Sequence, residues 1–291
     1  MVSVLGLGAW PIGGGMGLVD VEQSIATIHA AIDNGVTLLD TAQAYRTSET
    51  TLGKALKGGY RERCFLATKV SRDYTPAGIR SAMEESLRAL DVEYVDLYQI
   101  HNWRPEYPLE ASMEAMARLR EEGKTRYIGV SNFDAGQMAQ ALQVARFHST
   151  QPRYNVFDRG IEAADIPFCI QHGIGILAHS TLAKGLLTGK YTSQSVFKAD
   201  DERSRFPRFQ GETFARYLAV AERLEALARD KGLTLIQLAI AWVLRQPALT
   251  CALVGAKSPA QVEEHLGAVG VTFTQDELAQ IDAILEDAPL G

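Results

Sequence analysis

The sequence predicts a single-domain α/β protein: a (β/α)8 TIM barrel over residues 1–291, with its active site at the C-terminal face and a long loop before strand eight. Two observations predict it. Eight short runs of apolar or β-branched residues recur along the 291 residues, separated by amphipathic segments. Each run is apolar through its length, as strands of a parallel sheet read when both faces are covered. Eight such units in this length fit a closed barrel better than an open doubly wound sheet.

The strand runs are residues 4–7, 37–40, 64–69, 95–101, 127–130, 150–154, 174–178 and 251–254. Between them, 20–34 places Ile25, Ile28, Ala31 and Ile32 at helical spacing. Segment 75–90 begins with Thr75-Pro76, a favoured helix start, and puts Ile79, Met83, Leu87 and Leu90 on one face. Segments 109–122 and 135–145 repeat the pattern, and Gly123 follows the former as a stop. Near the end, 214–227, 235–244 and 276–285 are amphipathic, and 259–266 reads as a further helix. The first seven strands start roughly every 24 to 34 residues, but the eighth follows a gap of roughly 75. Residues 191–211, rich in Ser, Lys, Asp, Arg and Phe, lie in that gap and are expected to form a loop over the active mouth.

Composition excludes several classes. With 46% hydrophobic and 22% charged residues, the chain is neither a disordered nor a fibrous protein. A net charge of −6 with well-mixed signs offers no basic stripe for nucleic acid. The three cysteines (Cys64, Cys169, Cys251) are far apart, as expected of reduced thiols in a cytoplasmic protein. Residues 1–19 carry no charged side chain before Asp20, yet six glycines and Pro11 oppose a signal helix. They read as a first buried strand followed by a tight glycine loop. No membrane-spanning run is seen.

Polar residues follow the apolar runs. Strand two ends in Asp40, with Tyr45 five residues on; strand three ends in Lys69 and strand four in His101. Strand five runs into Ser131-Asn132, strand six carries Gln151, strand seven ends in His179-Ser180, and strand eight opens into Gly255-Ala256-Lys257-Ser258. Alone, an Asp after a strand reads as a helix cap and a Lys as a solvated charge. Together, on the face where barrels keep their chemistry, they form a site. A carboxylate beside a buried ammonium compensates its charge, and the cation lowers the pKa of a nearby phenol, which can then donate a proton. HExxH, GxSxG and a good GxGxxG are all absent, which argues against a zinc protease, a serine hydrolase and a Rossmann fold.

The motifs VSVLGLGAW, LLDTAQAYRTSETTLGKAL, LATKV, VDLYQIHNW, GKTRYIGVSNF, QPRYN, LAKGLLTGKY and LVGAKSPAQVEEHLGA resemble those of the aldo-keto reductase superfamily, in its order and over almost the whole chain. RSRFPRFQGETF is similar to the bacterial branch. The resemblance implies an NADP-dependent oxidoreductase that reduces small-molecule aldehydes or ketones to alcohols. It implies a catalytic tetrad of Asp40, Tyr45, Lys69 and His101, with Tyr45 as general acid, its phenol pKa depressed by Lys69. For cofactor it implies Ala9, Trp10 and Asp40; Ser131, Asn132 and Gln151 on the carboxamide; and His179 at the stacking position. Ser180, Leu182, Lys184, Gly185 and Leu186 would follow the pyrophosphate. Gly255, Ala256, Lys257, Ser258, Gln261, Glu264 and His265 would hold the adenosine end. Lys257 and Ser258, at the start of helix 259–266, favour a 2′-phosphate dianion and hence NADPH over NADH.

For substrate the resemblance points to Trp10, Tyr45, Arg46, His101 and Trp103, with Phe133 and Phe206 or Phe209 completing an aromatic mouth. This sequence departs from the family pattern at His179 (usually an aromatic ring), His265 (commonly Asn), Arg46 (usually Gly) and Gln43 (commonly Asp). The hairpin that plugs the barrel bottom in the family is expected to be shortened or missing. The same resemblance leaves two further roles open: a sugar or alcohol dehydrogenase working in reverse, and a cofactor-binding regulatory subunit like the potassium-channel β subunits. A monomer or weak homo-oligomer is expected.

Overall fold

The computed structural model describes residues 2–17, 19–198 and 201–287. Eight parallel strands close in sequence order into a barrel, from β1 (Leu5–Gly8) paired with β2 (Leu38–Asp40) round to β8 (Leu249–Val254) paired back onto β1. Between them lie β3 (Phe65–Val70), β4 (Val95–Ile100), β5 (Thr125–Ser131), β6 (Ser149–Gln151) and β7 (Gly175–Ala178). Every predicted run contains a strand. β6 stops at Gln151, short of the expected 154, because Pro152 has no N–H to continue the ladder.

The helices are α1 (Val21–Asp33), α2 (Ser48–Ala55), α3 (Pro76–Leu90), α4 (Leu109–Glu121), α5 (Ala135–Val144), α6 (Asp165–His172), α7 (Gly211–Asp230), α8 (Leu235–Leu244), α9 (Pro259–Leu266) and α10 (Gln275–Glu286). Sequence reading missed α2 and α6. Each is eight residues long, and half of what α2 buries is polar (Ser48, Glu49 and Thr51), so no apolar stripe marked it. The starts of α1, α3 and α5 are capped by Asp20, Thr75 and Asp134, whose side chains accept backbone N–H bonds. Gly123 sits at φ +75° after α4, the left-handed stop expected of it.

Alternate residues of each strand face opposite ways. Outward residues such as Leu39, Leu66, Tyr98 and Ile128 join the helices in the main core. Inward, a smaller apolar cluster of Leu38, Ala67, Leu97, Leu177, Cys251 and Leu253 fills the lower barrel. Val2 and Phe65 pack against this cluster at the N-terminal end of the barrel, where Phe65 stacks on Tyr127 with centroids 6.0 Å apart. The cluster supports a polar layer above it. Among the described residues the segment between β7 and α7 holds 3-10 turns at Ala183–Thr188, Glu202–Arg205 and Pro207–Phe209, and residues 199 and 200 of the predicted loop lie outside them. Among the described residues no helix is long and apolar enough to cross a membrane.

Candidate active site

Tyr45 is placed by its own loop. Thr41 and Gln43 continue the β2 ladder with backbone bonds to the Ala67 and Lys69 carbonyls, at 2.9 and 3.1 Å. Thr41 Oγ1 donates to Ser48 Oγ at 2.8 Å, and Ser48 Oγ donates to the Ala9 carbonyl at 3.1 Å. The glycine loop after β1 closes against this segment. A Cβ on Gly13 would sit 2.1 Å from the Tyr45 carbonyl oxygen, and one on Gly15 2.2 Å from the Trp10 ring. Only glycine permits both approaches. The Trp10 ring then meets Tyr45 edge-on at 4.8 Å.

Lys69 is fully buried at the top of β3, and its three ammonium protons have three acceptors. Its Nζ lies 2.5 Å from Asp40 Oδ1, 2.9 Å from the Thr41 carbonyl and 3.5 Å from Tyr45 Oη. Asp40 Oδ2 accepts from Gln151 Nε2 at 2.8 Å and from Gln99 Nε2 at 3.3 Å. A charge pair this deep persists only when its remaining valences are satisfied, as they are here. Burial would lower the Lys69 pKa, but Asp40 and Tyr45 outweigh it and the net direction is up. The ammonium keeps its proton.

The phenol differs from expectation. Burial raises the Tyr45 pKa, and although Lys69 pulls it down, the net shift is upward. The cause is that the ring is enclosed by neighbours while Asp40 adds a negative charge behind the cation. Since Lys69 can only donate, Tyr45 Oη accepts from it and the phenolic proton points elsewhere. Among the described residues that proton has no acceptor, and Tyr45 lines the central cavity. His101 lines it too, its ring edge-on to Tyr45 at 5.5 Å. Burial, with Lys69 and His179 nearby, pushes the His101 pKa down to about 3, so the ring is neutral.

The cavity measures about 890 Å³ and runs over the C-terminal ends of the strands. Backbone along its wall is strained: Asn132, Ser180 and Lys184 all have φ between +55° and +58°. Such conformations cost roughly 1–3 kcal/mol each in non-glycine residues and gather where side chains must be aimed. Asn132 Nδ2 donates to Asn102 Oδ1 at 2.9 Å, leaving Asn132 Oδ1 to pair with His179 Nε2 at 2.8 Å. From the long segment, Glu202 accepts from Trp10 Nε1 at 3.0 Å and from Lys184 Nζ at 2.6 Å. Lys257 Nζ donates to the Met16 carbonyl in the glycine loop.

A family model described as the aldo/keto reductase family matches residues 4–286. The chain belongs to the aldo/keto reductase family. The reductase is 41% identical to aldo-keto reductase YhdN of Bacillus subtilis, over 99% of this chain and 92% of that protein. Its fold is similar to the glycerol dehydrogenase AKR11B4 of Gluconobacter oxydans, with a TM-score of 0.90 and 37% identity over 100% of this chain and 93% of the other. An aldo/keto reductase of Klebsiella pneumoniae in complex with NADP and acetate has a TM-score of 0.78 and 32% identity, covering 98% of this chain and 92% of that one.

In this reductase the four tetrad residues converge at the cavity floor, Lys69 from behind the wall. Trp10, Ser131, Asn132, Gln151, His179, Ser180, Leu182, Lys184 and Gly185 line the cavity, as do Gly255, Lys257, Gln261, Glu264 and His265. Ala9, Leu186, Ala256 and Ser258 do not. The first three are buried in the core, and Ser258 caps α9 through the Gln261 N–H at 3.4 Å. Of the expected aromatic mouth, Trp10 lines the cavity and Trp103, Phe133, Phe206 and Phe209 do not. Trp103 donates to the Tyr107 carbonyl at 3.0 Å and packs against buried Phe133, while Phe206 lies under Lys184 and Phe209 joins Tyr191, Phe197 and Phe214. Arg46 is exposed and donates to the Gly14 carbonyl at 3.2 Å, away from the cavity wall. Sequence reasoning missed Gln99, Asn102, Arg153, Lys190 and Glu202. Gln99 shares the fourth run with Asp96, and the sequence does not mark which of the two faces the interior.

Proposed function

We propose that this protein is an NADPH-dependent reductase of aldehydes or ketones, with Tyr45 as general acid. The observation that carries the reading is the Lys69 ammonium, which donates to Asp40, Thr41 and Tyr45 and so turns the phenolic proton into the cavity. The residues present suit a nicotinamide dinucleotide. The Gln151 and Asn132 amides line the cavity, and His179 supplies a flat neutral ring, its pKa pushed down to about 3 by burial and the nearby cations. At the far end, Lys190 and Lys257 line the cavity, and burial together with Arg203 lowers the pKa of both. Crowded cations in a protein of net charge −6 favour an anionic ligand group, which a 2′-phosphate provides.

When bound, a nicotinamide cofactor would supply the hydride that the carbonyl carbon takes up. Tyr45 donates a proton to the carbonyl oxygen, and Lys69 stabilises the phenolate left behind. His101, being neutral, orients the oxygen by hydrogen bonding without competing for the proton. The raised Tyr45 pKa keeps the acid loaded throughout neutral pH, which suits reduction. The likeness to a glycerol dehydrogenase favours a second reading, oxidation of a small polyol by the same residues in reverse.

Tyr45→Phe keeps the ring and removes the proton. With NADPH and a panel of small aldehydes, turnover should fall about 10²-fold or more while NADPH still binds by fluorescence titration. Near wild-type turnover in the variant, with chemistry rate-limiting, would overturn the reading.

A further inference from the structure

A neutral imidazole carries its proton on one nitrogen, and the partner of the other nitrogen decides which. His101 Nδ1 lies 2.8 Å from Ser71 Oγ, just past the end of β3. That hydroxyl has one proton and two acceptors in reach, Nδ1 and the Lys69 carbonyl at 3.3 Å. The contact to Nδ1 is the shorter by 0.5 Å and has the length of a well-formed hydrogen bond, so it takes the hydroxyl proton.

We propose that Ser71 donates to His101 Nδ1 and thereby holds the ring proton on Nε2, as a positioning residue for the carbonyl substrate. Ser71 is itself steadied from β2 and α3: its backbone N–H donates to Gln43 Oε1 at 3.4 Å, and Gln43 Nε2 donates to Glu85 Oε2 at 3.0 Å. Among the described residues Nε2 has no hydrogen-bond partner, and the ring borders the cavity beside Tyr45. With Nε2 protonated, the carbonyl oxygen meets two donors, Nε2–H and the Tyr45 hydroxyl. In the opposite tautomer a nitrogen lone pair would face the oxygen lone pairs and turn the carbonyl away. Protonation to imidazolium is no substitute, because burial, with Lys69 and His179 nearby, pushes the His101 pKa down to about 3. The proposal deepens the reading of Tyr45 and His101 as a carbonyl-reducing site and rests on it for its consequence, not for the tautomer.

The test is nitrogen NMR on the full chain labelled with ¹⁵N-histidine, with His101 assigned by loss of its signals in His101→Asn. Wild type and Ser71→Thr should show the Nε2-protonated pattern, and Ser71→Ala should lose it or become mixed. A protonated Nδ1 in the wild type, or the same tautomer in Ser71→Ala, would overturn the proposal. In parallel, Ser71→Ala should lower kcat/KM for aldehydes about tenfold, with NADPH binding unchanged and Ser71→Thr restoring the rate. If aldehydes are reduced and Ser71→Ala matches wild type, the positioning role fails. If no aldehyde is reduced yet the tautomer depends on Ser71, the reductase reading fails while the Ser71 contact stands.

Discussion

The upper and lower halves of the barrel interior are built from the same strands, two residues apart. β2 contributes Leu38 below and Asp40 above; β3 contributes Ala67 and Lys69; β4 contributes Leu97 and Gln99. A step of about 6.6 Å along a strand therefore passes from hydrocarbon to a charge pair. The lower layer stabilises by removing apolar area from water and needs no partners of defined geometry. The upper layer is tolerated because Lys69, Asp40, Gln99 and Gln151 satisfy one another. Stability and chemistry thus occupy one set of strands but separate levels, and each level should fail in its own way.

Lys69→Met should do the most damage. It leaves Asp40 buried with amide donors alone, costing about 3–5 kcal/mol in urea unfolding, and removes the phenol's partner, so turnover falls about 10²-fold or more. Adding Asp40→Leu should recover much of the stability and none of the activity. Recovery of both would erase the distinction between the layers. One level down, Leu97→Ala should cost about 2–5 kcal/mol yet keep kcat/KM within about twofold wherever the variant stays folded. A tenfold loss of kcat/KM there would show that the lower layer shapes the site directly.

Smaller effects belong to the cavity rim. Lys257→Ala should weaken NADPH by about 1–3 kcal/mol in fluorescence titration and barely alter NADH. Equal losses would mean that Lys257 serves the Met16 carbonyl and reads no phosphate. Arg46→Gly should matter least. Glycine relieves the φ of +48° while the bond to Gly14 is lost, so stability should move by less than about 0.5 kcal/mol. KM for neutral and carboxylate-bearing aldehydes should change alike, because Arg46 stands off the cavity wall. A rise confined to carboxylates would bring this cation into the substrate's surroundings.

Asp40, Lys69 and His101 could be read from the sequence because each stands at or next to the end of an apolar run, where a barrel presents its side chains to the mouth. Gln99 lies within such a run, and nothing local separates a polar residue facing the interior from one facing a helix. Glu202 meets Trp10 across 192 positions of sequence, a contact that no spacing rule anticipates. Ser71 follows β3 as an ordinary polar residue would, and its meaning depends on where the end of β4 carries His101.

The chain's periodicity determined the barrel, the order of its strands and the face that bears the polar residues, because these follow from side-chain alternation and helical spacing over a few neighbouring positions. Tertiary structure alone decided the direction of the Tyr45 pKa. Burial depends on Trp10, His101 and other residues that reach the phenol from several strands, and it outweighs the one cation that the sequence put within view. It also decided that Trp103, Phe133 and Phe209 pack away from the cavity, leaving Trp10 as the one tryptophan or phenylalanine ring of the expected aromatic mouth that lines it among the described residues. An aromatic ring in a loop is drawn to whichever apolar surface lies nearest, and that surface exists only once the helices have closed around the barrel.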